Sequence, residues 1–334
     1  MSGEKPILVG CDLFLDLRLY SLPDQMLKNL RKNFPTVEIV PVNVPKSPEV
    51  RSDIDVYFGN RITPAIINSC PDLRWIHFGS VGTNHARVDS VINRGIHVTS
   101  SRGLVVAPMV ASAIAFIAGL ARGLSHSTAL RTSGNLTREA FDSVYDQVQE
   151  LEGQEILIVG LGDVGKRLAK VCDALGMEVV GIRRHSNLQV EGVKSVFSLS
   201  DLGRCVASAD FTVNLLPLTT KTEKIFSEAI FGQMKSSGFF INIGRGETVD
   251  EAALVSALRT KLIAGAGLDV FAEEPLPGSS ALLDLENVIL TPHVAGLSSG
   301  YWPRQEDLFS FNLAQYVKGE LNEMRNIEDM RMSI

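Results

Sequence analysis

The chain has 334 residues, of which 45% are hydrophobic and 21% are charged, and its formal net charge is −6. This length and composition predict a soluble globular protein of about two domains. The acidic balance leaves no basic footprint for nucleic acid, so we expect no such partner. The N-terminus lacks a signal-peptide pattern, and the four cysteines lack metal or disulfide spacing: Cys11, Cys70, Cys172 and Cys205. We therefore expect a cytoplasmic protein with reduced thiols and no metal site.

The first hundred residues alternate between strand and helix signals. Short apolar runs predict strands, and amphipathic stretches between them predict helices. The strands are expected at 7–10, 37–42, 56–59, 75–78 and 97–99, and the helices at 24–33, 63–69 and 88–94. Strands that alternate with helices favour a doubly wound parallel sheet, because crossovers are short and right-handed.

Residues 104–121 contain no charged side chain and are long enough to be considered as a membrane span. The segment, however, contains Pro108 and many small residues, and it lies mid-chain between α/β patterns. We predict a buried helix packed between domains or subunits, and no membrane partner. The polar segment 125–150 has little periodicity, and we expect a surface arm that grips a partner subunit.

A second α/β pattern starts near residue 155. Its strands are predicted at 156–159, 178–182, 211–215, 239–243, 263–268 and 288–290, with a helix at 250–261 that Asp250 can cap. The last helix, about 298–318, is expected to return to the first domain. The predicted domains are therefore 1–102 plus 299–334 for substrate, and 103–298 for a dinucleotide.

The most informative motif follows the first strand of this second pattern. Three glycines have the spacing G-x-G-x-x-G, at 160, 162 and 165, and an amphipathic helix comes next. This arrangement is typical of a turn that holds a pyrophosphate over a helix N-terminus. The next strand ends in Arg183 and Arg184, where an NAD-binding chain would usually carry Asp or Glu. Two arginines favour the 2′-phosphate of NADP, and a basic surface turn is the alternative.

Three later segments carry side chains suited to catalysis, and each has an ordinary interpretation as well. Arg245, between two glycines after a strand, offers a planar fork for a carboxylate or forms a surface salt bridge. Glu274, before Pro275, is a candidate partner or a solvated loop carboxylate. His293 follows a strand and a proline, and alone it would be a structural histidine. Paired with Glu274 it becomes a candidate proton donor whose tautomer is fixed and whose charged form is favoured.

Together these motifs resemble the D-isomer-specific 2-hydroxyacid dehydrogenase family. The resemblance runs from about Leu73 to the segment 324–330, and it includes the glycine motif, the run 217–222 and the three segments above. It implies an α/β fold of two Rossmann-like, doubly wound parallel-sheet domains with an interdomain cleft, and a homodimer joined through the cofactor domains. It also implies a catalytic set of Arg245, Glu274 and His293.

The resemblance assigns further residues to the cofactor and the substrate. The cofactor set comprises the glycine turn, the ribose end, the adenosine-side loop and residues near the nicotinamide: Gly160, Leu161, Gly162, Asp163, Val164, Gly165, Arg183, Arg184, His185, Ser186, Leu216, Pro217, Thr222, Ile243, Gly244, Asp269 and Gly296. The substrate set adds a loop whose backbone amides suit a carboxylate, with residues Ser80, Val81 and Gly82, to Arg245 and His293.

Three departures from the family pattern leave the substrate open. Ser112 stands where relatives often carry Glu, and the segment 125–150 lacks the usual tryptophan-bearing pattern. Tyr301 and Trp302 follow His293 in an unusual run, where they shape the substrate pocket or pack the last helix. The reaction class is unaffected by these differences.

We expect an oxidoreductase that transfers a hydride from NADPH to a small 2-oxoacid such as glyoxylate or hydroxypyruvate, giving the D-2-hydroxyacid. NAD is the second candidate cofactor. Two alternatives stay open: a dinucleotide-sensing, corepressor-like binding protein, and a dehydrogenase working mainly in the oxidative direction. The chain lacks the extended tails of the first class, and Glu274 stands where formate enzymes carry Gln.

Overall fold

The computed structural model describes residues 5–13, 21–42, 51–83, 89–184 and 189–330. The chain divides into two compact units, which we call unit 1 (Met1–Val105 with Leu297–Ile334) and unit 2 (Val106–Gly296). The sequence predicts divisions at 102/103 and 298/299. The assignment of substrate to the first domain and of dinucleotide to the second stays a prediction.

Unit 1 contains a parallel sheet of five strands in the order β2-β1-β3-β4-β5. The chain winds away from the middle in both directions, so the order reverses between β1 and β3. The strands are β1 (Ile7–Cys11), β2 (Val37–Pro41), β3 (Val56–Gly59), β4 (Trp75–Phe78) and β5 (His97–Thr99), and the helices among them are α1 (Asp24–Asn33), α2 (Pro64–Ser69) and α3 (Asp89–Arg94).

Unit 2 contains a parallel sheet of seven strands in the order β12-β11-β10-β9-β6-β7-β8, which reverses between β6 and β9. Its strands are β6 (Glu155–Val159), β7 (Glu178–Ile182), β8 (Ser195–Phe197), β9 (Phe211–Asn214), β10 (Phe239–Asn242), β11 (Gly265–Leu268) and β12 (Val288–Leu290). Its helices are α4 (Val106–Ala121), α5 (Leu124–Ser133), α6 (Asp163–Ala174), α7 (Leu202–Ser208), α8 (Glu228–Phe231) and α9 (Glu251–Arg259). The prediction of an α/β fold with two doubly wound parallel sheets is confirmed.

The last helix, α10 (Tyr301–Lys318), belongs to unit 1, although it follows the whole of unit 2 in the chain. Its buried Phe309 stacks on Phe58 of β3 and on Trp75 of β4, with ring centroids 4.3 and 5.4 Å apart. Because strands β3 and β4 are buried along their whole length, they need apolar cover on both faces. Helix α10 provides part of that cover.

Helix α4 packs on the core of unit 2, where Phe116 and Ile117 are buried. In the described ranges no single helix is long and apolar enough to cross a membrane, and only the bent pair α4–α5 passes that test, on length and composition alone. The predicted arm differs from expectation in its structure. It contains the helix α5 and a 3₁₀ stretch, Glu139–Gln147, and neither buries a single residue.

A buried histidine in unit 1 gives a prediction about pH. His77 lies on β4, fully enclosed between Thr99 and Gln305, and this burial lowers the pKa of its imidazole to about 3. The unfolded chain binds that proton near pH 6.5, so between these values the unfolded state holds one more proton than the folded state. The free energy of unfolding is therefore fully retained above pH 6.5. As the pH is lowered from 6.5 towards 3, it decreases by about 1.4 kcal/mol per pH unit.

The measurement is urea unfolding of the wild type and of His77→Gln at pH 7 and pH 5. We expect the wild type to lose about 2 kcal/mol more than the variant between the two pH values. Parallel losses in the two proteins would contradict the prediction.

Candidate active site

The predicted site residues of unit 2 follow six neighbouring parallel strands. Parallel strands end at the same edge of a sheet, and in doubly wound folds that edge faces the ligand. The glycine turn follows β6, the two arginines follow β7 and Leu216 follows β9. Arg245 follows β10, Asp269 follows β11 and His293 follows β12. The fold thus brings six separate stretches of sequence to one edge.

Glu274 and His293 form a hydrogen-bonded pair. Nδ1 of His293 lies 2.7 Å from Oε2 of Glu274, and the other carboxylate oxygen accepts from the amide of Phe271. Because the carboxylate is an acceptor, Nδ1 carries a proton, and Nε2 is left to exchange one. The two side chains are 51% and 35% exposed, and such pairs add at most about 1 kcal/mol of stability.

His293 has a left-handed backbone with φ of 55°. For a side chain other than glycine this conformation costs about 1–2 kcal/mol, more than the exposed ion pair supplies. The surrounding segment therefore has to impose it, and such imposed strain is concentrated at functional sites. The backbone conformation thus indicates a functional role for His293 independently of any sequence motif.

Asp269 imposes it. The carboxylate is buried and accepts from the hydroxyl of Thr291 and from the amides of Val294 and Ala295, at 2.6 to 2.9 Å. The amide of His293 donates to the Asp269 carbonyl at 2.7 Å. Asp269 thus fixes the segment that carries His293. Its predicted contact with a nicotinamide carboxamide stays a prediction, and Gly296 lies directly after this segment.

Arg245 extends from a turn that is fixed through its backbone. Its carbonyl accepts from the side chains of Asn242 and Thr248. This turn packs directly against the segment that leads to Glu274. The contact is so close that a Cβ on Gly246 would stand only 1.8 Å from the carbonyl oxygen of Phe271. The guanidinium itself is exposed and has no acidic partner in the described part of the chain. Arg245 follows β10 and His293 follows β12, and one strand lies between these two in the sheet. The two strands are therefore about 10 Å apart, a distance that the side chains of Arg245 and His293 can span.

Asn214, Asn242 and Thr248 were missed by the sequence analysis. The side-chain amide of Asn214 donates to Asn242 at 3.0 Å and to Thr248 at 2.7 Å, and all three residues are buried. The side-chain Oδ1 of Asn214 accepts from the backbone amide of Leu216, and Oδ1 of Asn242 accepts from the backbone amide of Gly244. This network fixes both loops. The available signal was an asparagine closing each of two apolar strands, where a buried amide needs partners.

The glycine turn fits a dinucleotide pyrophosphate. Gly160 has φ of 113°, and a Cβ on Gly165 would lie 2.2 Å from the Gly160 carbonyl oxygen, so the protein itself requires both glycines. Gly162 is different, because a Cβ there would meet nothing within 4 Å. The amides of Gly162, Asp163 and Val164 donate to no acceptor among the described residues. Free backbone amides at the start of a helix can bind a phosphate. Gly162 is the second glycine of the motif, the position that leaves room for the pyrophosphate to approach the backbone.

Replacing Gly162 tests this interpretation. We expect Gly162→Ala to fold as stably as the wild type, because φ is −77° and the methyl group meets no protein atom. It should nevertheless raise the KM for the dinucleotide about 10-fold, since the methyl group occupies the space of the phosphate. The matched variant Gly165→Ala should instead lower Tm. An unchanged KM in Gly162→Ala would place the phosphate elsewhere.

Arg183 and Arg184 follow β7, the first half-buried and the second exposed. Neither forms an ion pair within the described ranges, and the sequence from 183 to 190 contains no Asp or Glu. The predicted ribose contacts His185 and Ser186 lie outside the described residues. The adenosine-side loop is ordered by Thr222, whose hydroxyl donates to the Pro217 carbonyl at 2.7 Å.

In unit 1 the predicted carboxylate loop follows β4. Val81 and Gly82 are exposed and Ser80 is half-buried. The hydroxyl of Ser80 donates to the Gly82 carbonyl at 3.1 Å, and the Ser80 carbonyl accepts from the amide of Ser101 at 3.0 Å. The amides of the three loop residues donate to no acceptor in the ranges described, as an anion-binding loop requires.

Comparison with known proteins gives consistent similarities. Residues 114–295 match the NAD-binding domain of the D-isomer-specific 2-hydroxyacid dehydrogenases. The chain is 32% identical over 265 residues to a glyoxylate reductase from Pyrococcus horikoshii, with 78% of each chain covered. It is 30% identical over 280 residues to glyoxylate/hydroxypyruvate reductase B from Klebsiella pneumoniae, with 82% of this chain and 86% of the relative covered.

One solved structure has the same fold over nearly its whole length. It is a D-isomer-specific 2-hydroxyacid dehydrogenase from Xanthobacter autotrophicus Py2 in complex with NADPH and MES. The TM-score is 0.78 at 24% identity, and 98% of this chain and 99% of that one are covered.

Proposed function

Because this chain belongs to the D-isomer-specific 2-hydroxyacid dehydrogenase family, we propose that it is an NADPH-dependent reductase of small 2-oxoacids such as glyoxylate or hydroxypyruvate. The observation that carries this proposal is the pair of His293 and Glu274, an exposed proton donor held in a strained backbone conformation. The named relatives, glyoxylate and glyoxylate/hydroxypyruvate reductases, support the substrate class.

The residues present fit a nicotinamide dinucleotide. The glycine turn and the first turn of α6 would hold its pyrophosphate through free amides. Arg183 and Arg184 would hold a 2′-phosphate by charge-assisted hydrogen bonds, which a free 2′-hydroxyl cannot form. This difference favours NADP over NAD.

When bound, NADPH supplies the hydride that reduces the carbonyl carbon. His293 then donates the proton from Nε2 to the carbonyl oxygen, which gains negative charge in the transition state. Glu274 holds Nδ1, so the ring presents Nε2 outward in both protonation states. Because the imidazole is half exposed, solvent can return the proton after each turnover. The product is the 2-hydroxyacid, which we propose to be the D-isomer.

The substrate carboxylate requires groups of opposite charge or free donors. We propose that Arg245 binds it with two parallel hydrogen bonds and also polarises the carbonyl. The free amides of Ser80, Val81 and Gly82 are proposed as further donors to the same carboxylate. A small 2-oxoacid suits this set because its carboxylate and its carbonyl are adjacent.

The test follows NADPH absorbance with a panel of 2-oxoacids. We expect oxidation of NADPH with glyoxylate or hydroxypyruvate, and a kcat/KM with NADPH well above that with NADH. If none of the 2-oxoacids oxidises NADPH or NADH, the proposed activity is wrong. If turnover is equal with both cofactors, the proposed reductase activity is supported and the proposed preference for NADP is wrong.

We further propose that the protein is a cytoplasmic homodimer. The arm supports a dimer, because α5 and the stretch Glu139–Gln147 bury no residue. Three large apolar side chains are exposed on or between these two elements: Leu124, Leu136 and Tyr145. Short helices are marginal without packing, so a second copy would stabilise them. Sedimentation equilibrium at one monomer mass would contradict the dimer.

A further inference from the structure

Tyr301 begins helix α10 in unit 1 and points back at the proposed carboxylate loop. Its hydroxyl donates to the carbonyl oxygen of Gly79, the residue directly before Ser80. The same hydroxyl lies 3.3 Å from Oε1 of Gln305, one helical turn further along. Burial raises the pKa of Tyr301 to about 12, so the phenol keeps its proton at neutral pH and remains a donor.

The contact with Gly79 matters because of peptide geometry. In a trans peptide the carbonyl of one residue and the amide N–H of the next point in opposite directions. Holding the Gly79 carbonyl towards Tyr301 therefore aims the Ser80 amide away from it. The amide of Ser101 holds the Ser80 carbonyl in the same manner and so aims the amide of Val81. Two successive amides are thus oriented through the carbonyls behind them.

A chain of buried hydrogen bonds fixes Tyr301 in turn. Gln305 donates to Nε2 of His77 at 2.7 Å and accepts from the hydroxyl of Ser101 at 2.6 Å. On the far side of the imidazole, Nδ1 of His77 lies 2.7 Å from Thr99. Since Gln305, His77, Ser101 and Thr99 have essentially no exposed surface, the network has little freedom to rearrange.

We propose that Tyr301 is a positioning residue for substrate binding, which orients and polarises the amide of Ser80, one of the amides that receive the 2-oxoacid carboxylate. A donor on the Gly79 carbonyl also polarises that peptide, and this strengthens the Ser80 N–H as a donor. The inference rests on the proposed function, since it needs the loop to bind a carboxylate. Tyr301 itself touches neither the substrate nor the cofactor in this proposal.

The test compares Tyr301→Phe with Tyr316→Phe in the full chain. Both changes remove one phenol hydroxyl from α10. Tyr316, however, stacks on Trp75 and has no hydrogen bond to the loop among the described residues. We expect Tyr301→Phe to raise the KM for glyoxylate and the dissociation constant for oxalate, a two-carbon dicarboxylate, about 3- to 10-fold, the usual contribution of one hydrogen bond. The KM for NADPH and kcat should stay within twofold, and Tyr316→Phe should match the wild type.

The design separates the two proposals. Oxalate affinity is measured by calorimetry on the NADPH-loaded protein, so it does not depend on turnover, and neither KM nor affinity depends on the folded fraction. If the glyoxylate KM and the oxalate affinity are unchanged in Tyr301→Phe, the proposed role of Tyr301 is wrong. That result would leave the proposed reductase function unaffected. An equal rise in the KM for NADPH, or a fall in kcat alone, would show a general structural role and also overturn it. A wild type that neither turns over 2-oxoacids nor binds oxalate would refute the proposed function and this inference with it.

Discussion

Replacing His293 by Asn is expected to lower kcat by about 10²- to 10⁴-fold while the dissociation constant for NADPH stays within twofold. The loss follows from the missing proton donor, because an amide cannot transfer a proton to the carbonyl oxygen. Asn is chosen over Ala because φ is 55° at this position, and Asn tolerates the left-handed region better. The variant therefore removes the acid without adding backbone strain. Single-turnover absorbance and NADPH fluorescence titration provide the two readouts.

Two neighbouring carboxylates supply the control. Glu274→Gln keeps an oxygen that can accept from Nδ1 of His293 but loses the charge, so we expect a smaller loss of about 10-fold. Glu273→Gln changes an exposed carboxylate one residue away and should leave kcat unchanged. Normal turnover in His293→Asn would remove the imidazole from the acid role. Equal losses in the two glutamate variants would point to the loop rather than to the ion pair.

Neutralising Arg183 and Arg184 together, each to Gln, is expected to raise the KM for NADPH roughly 100- to 200-fold and that for NADH by less than threefold. The two guanidiniums have no ion-pair partner in the part of the chain that the structure describes, so a 2′-phosphate would be their first anion. Charge-assisted hydrogen bonds contribute about 1.5–3 kcal/mol each, and the lower end applies because Arg184 is exposed. Steady-state kinetics with both cofactors measures the ratio.

The matched control removes the same charge elsewhere. Arg31 and Lys32, in the last turn of α1, are exposed, and changing both to Gln should leave the two KM values as they are. A loss that follows net charge rather than position would appear in both double variants. Equal loss of NADPH and NADH binding in the Arg183 and Arg184 variant would contradict the phosphate assignment. The NADPH effect should also shrink as salt screens the charges.

Much of the fold was predictable because its signals are local. Apolar runs bounded by turns predicted the strands, most of which are buried on both faces and carry no competing polar pattern. The short strand Ser195–Phe197 was missed, since three half-buried residues give too little periodicity. The arm was expected to lack periodicity, whereas α5 is helical. A helix with no buried residue leaves no apolar stripe in the sequence to recognise.

By itself the sequence determined the two α/β patterns, the dinucleotide motif and three candidate catalytic side chains, because each depends on residues close together in the chain. Only the tertiary structure decided that Glu274 and His293 pair, that Asp269 imposes the left-handed backbone at His293, and that Tyr301 holds the Gly79 carbonyl. Tyr301 and Gly79 are 222 positions apart. Such contacts depend on which strands are neighbours, on register and on backbone dihedrals, and none of these is encoded in a local pattern of residue types.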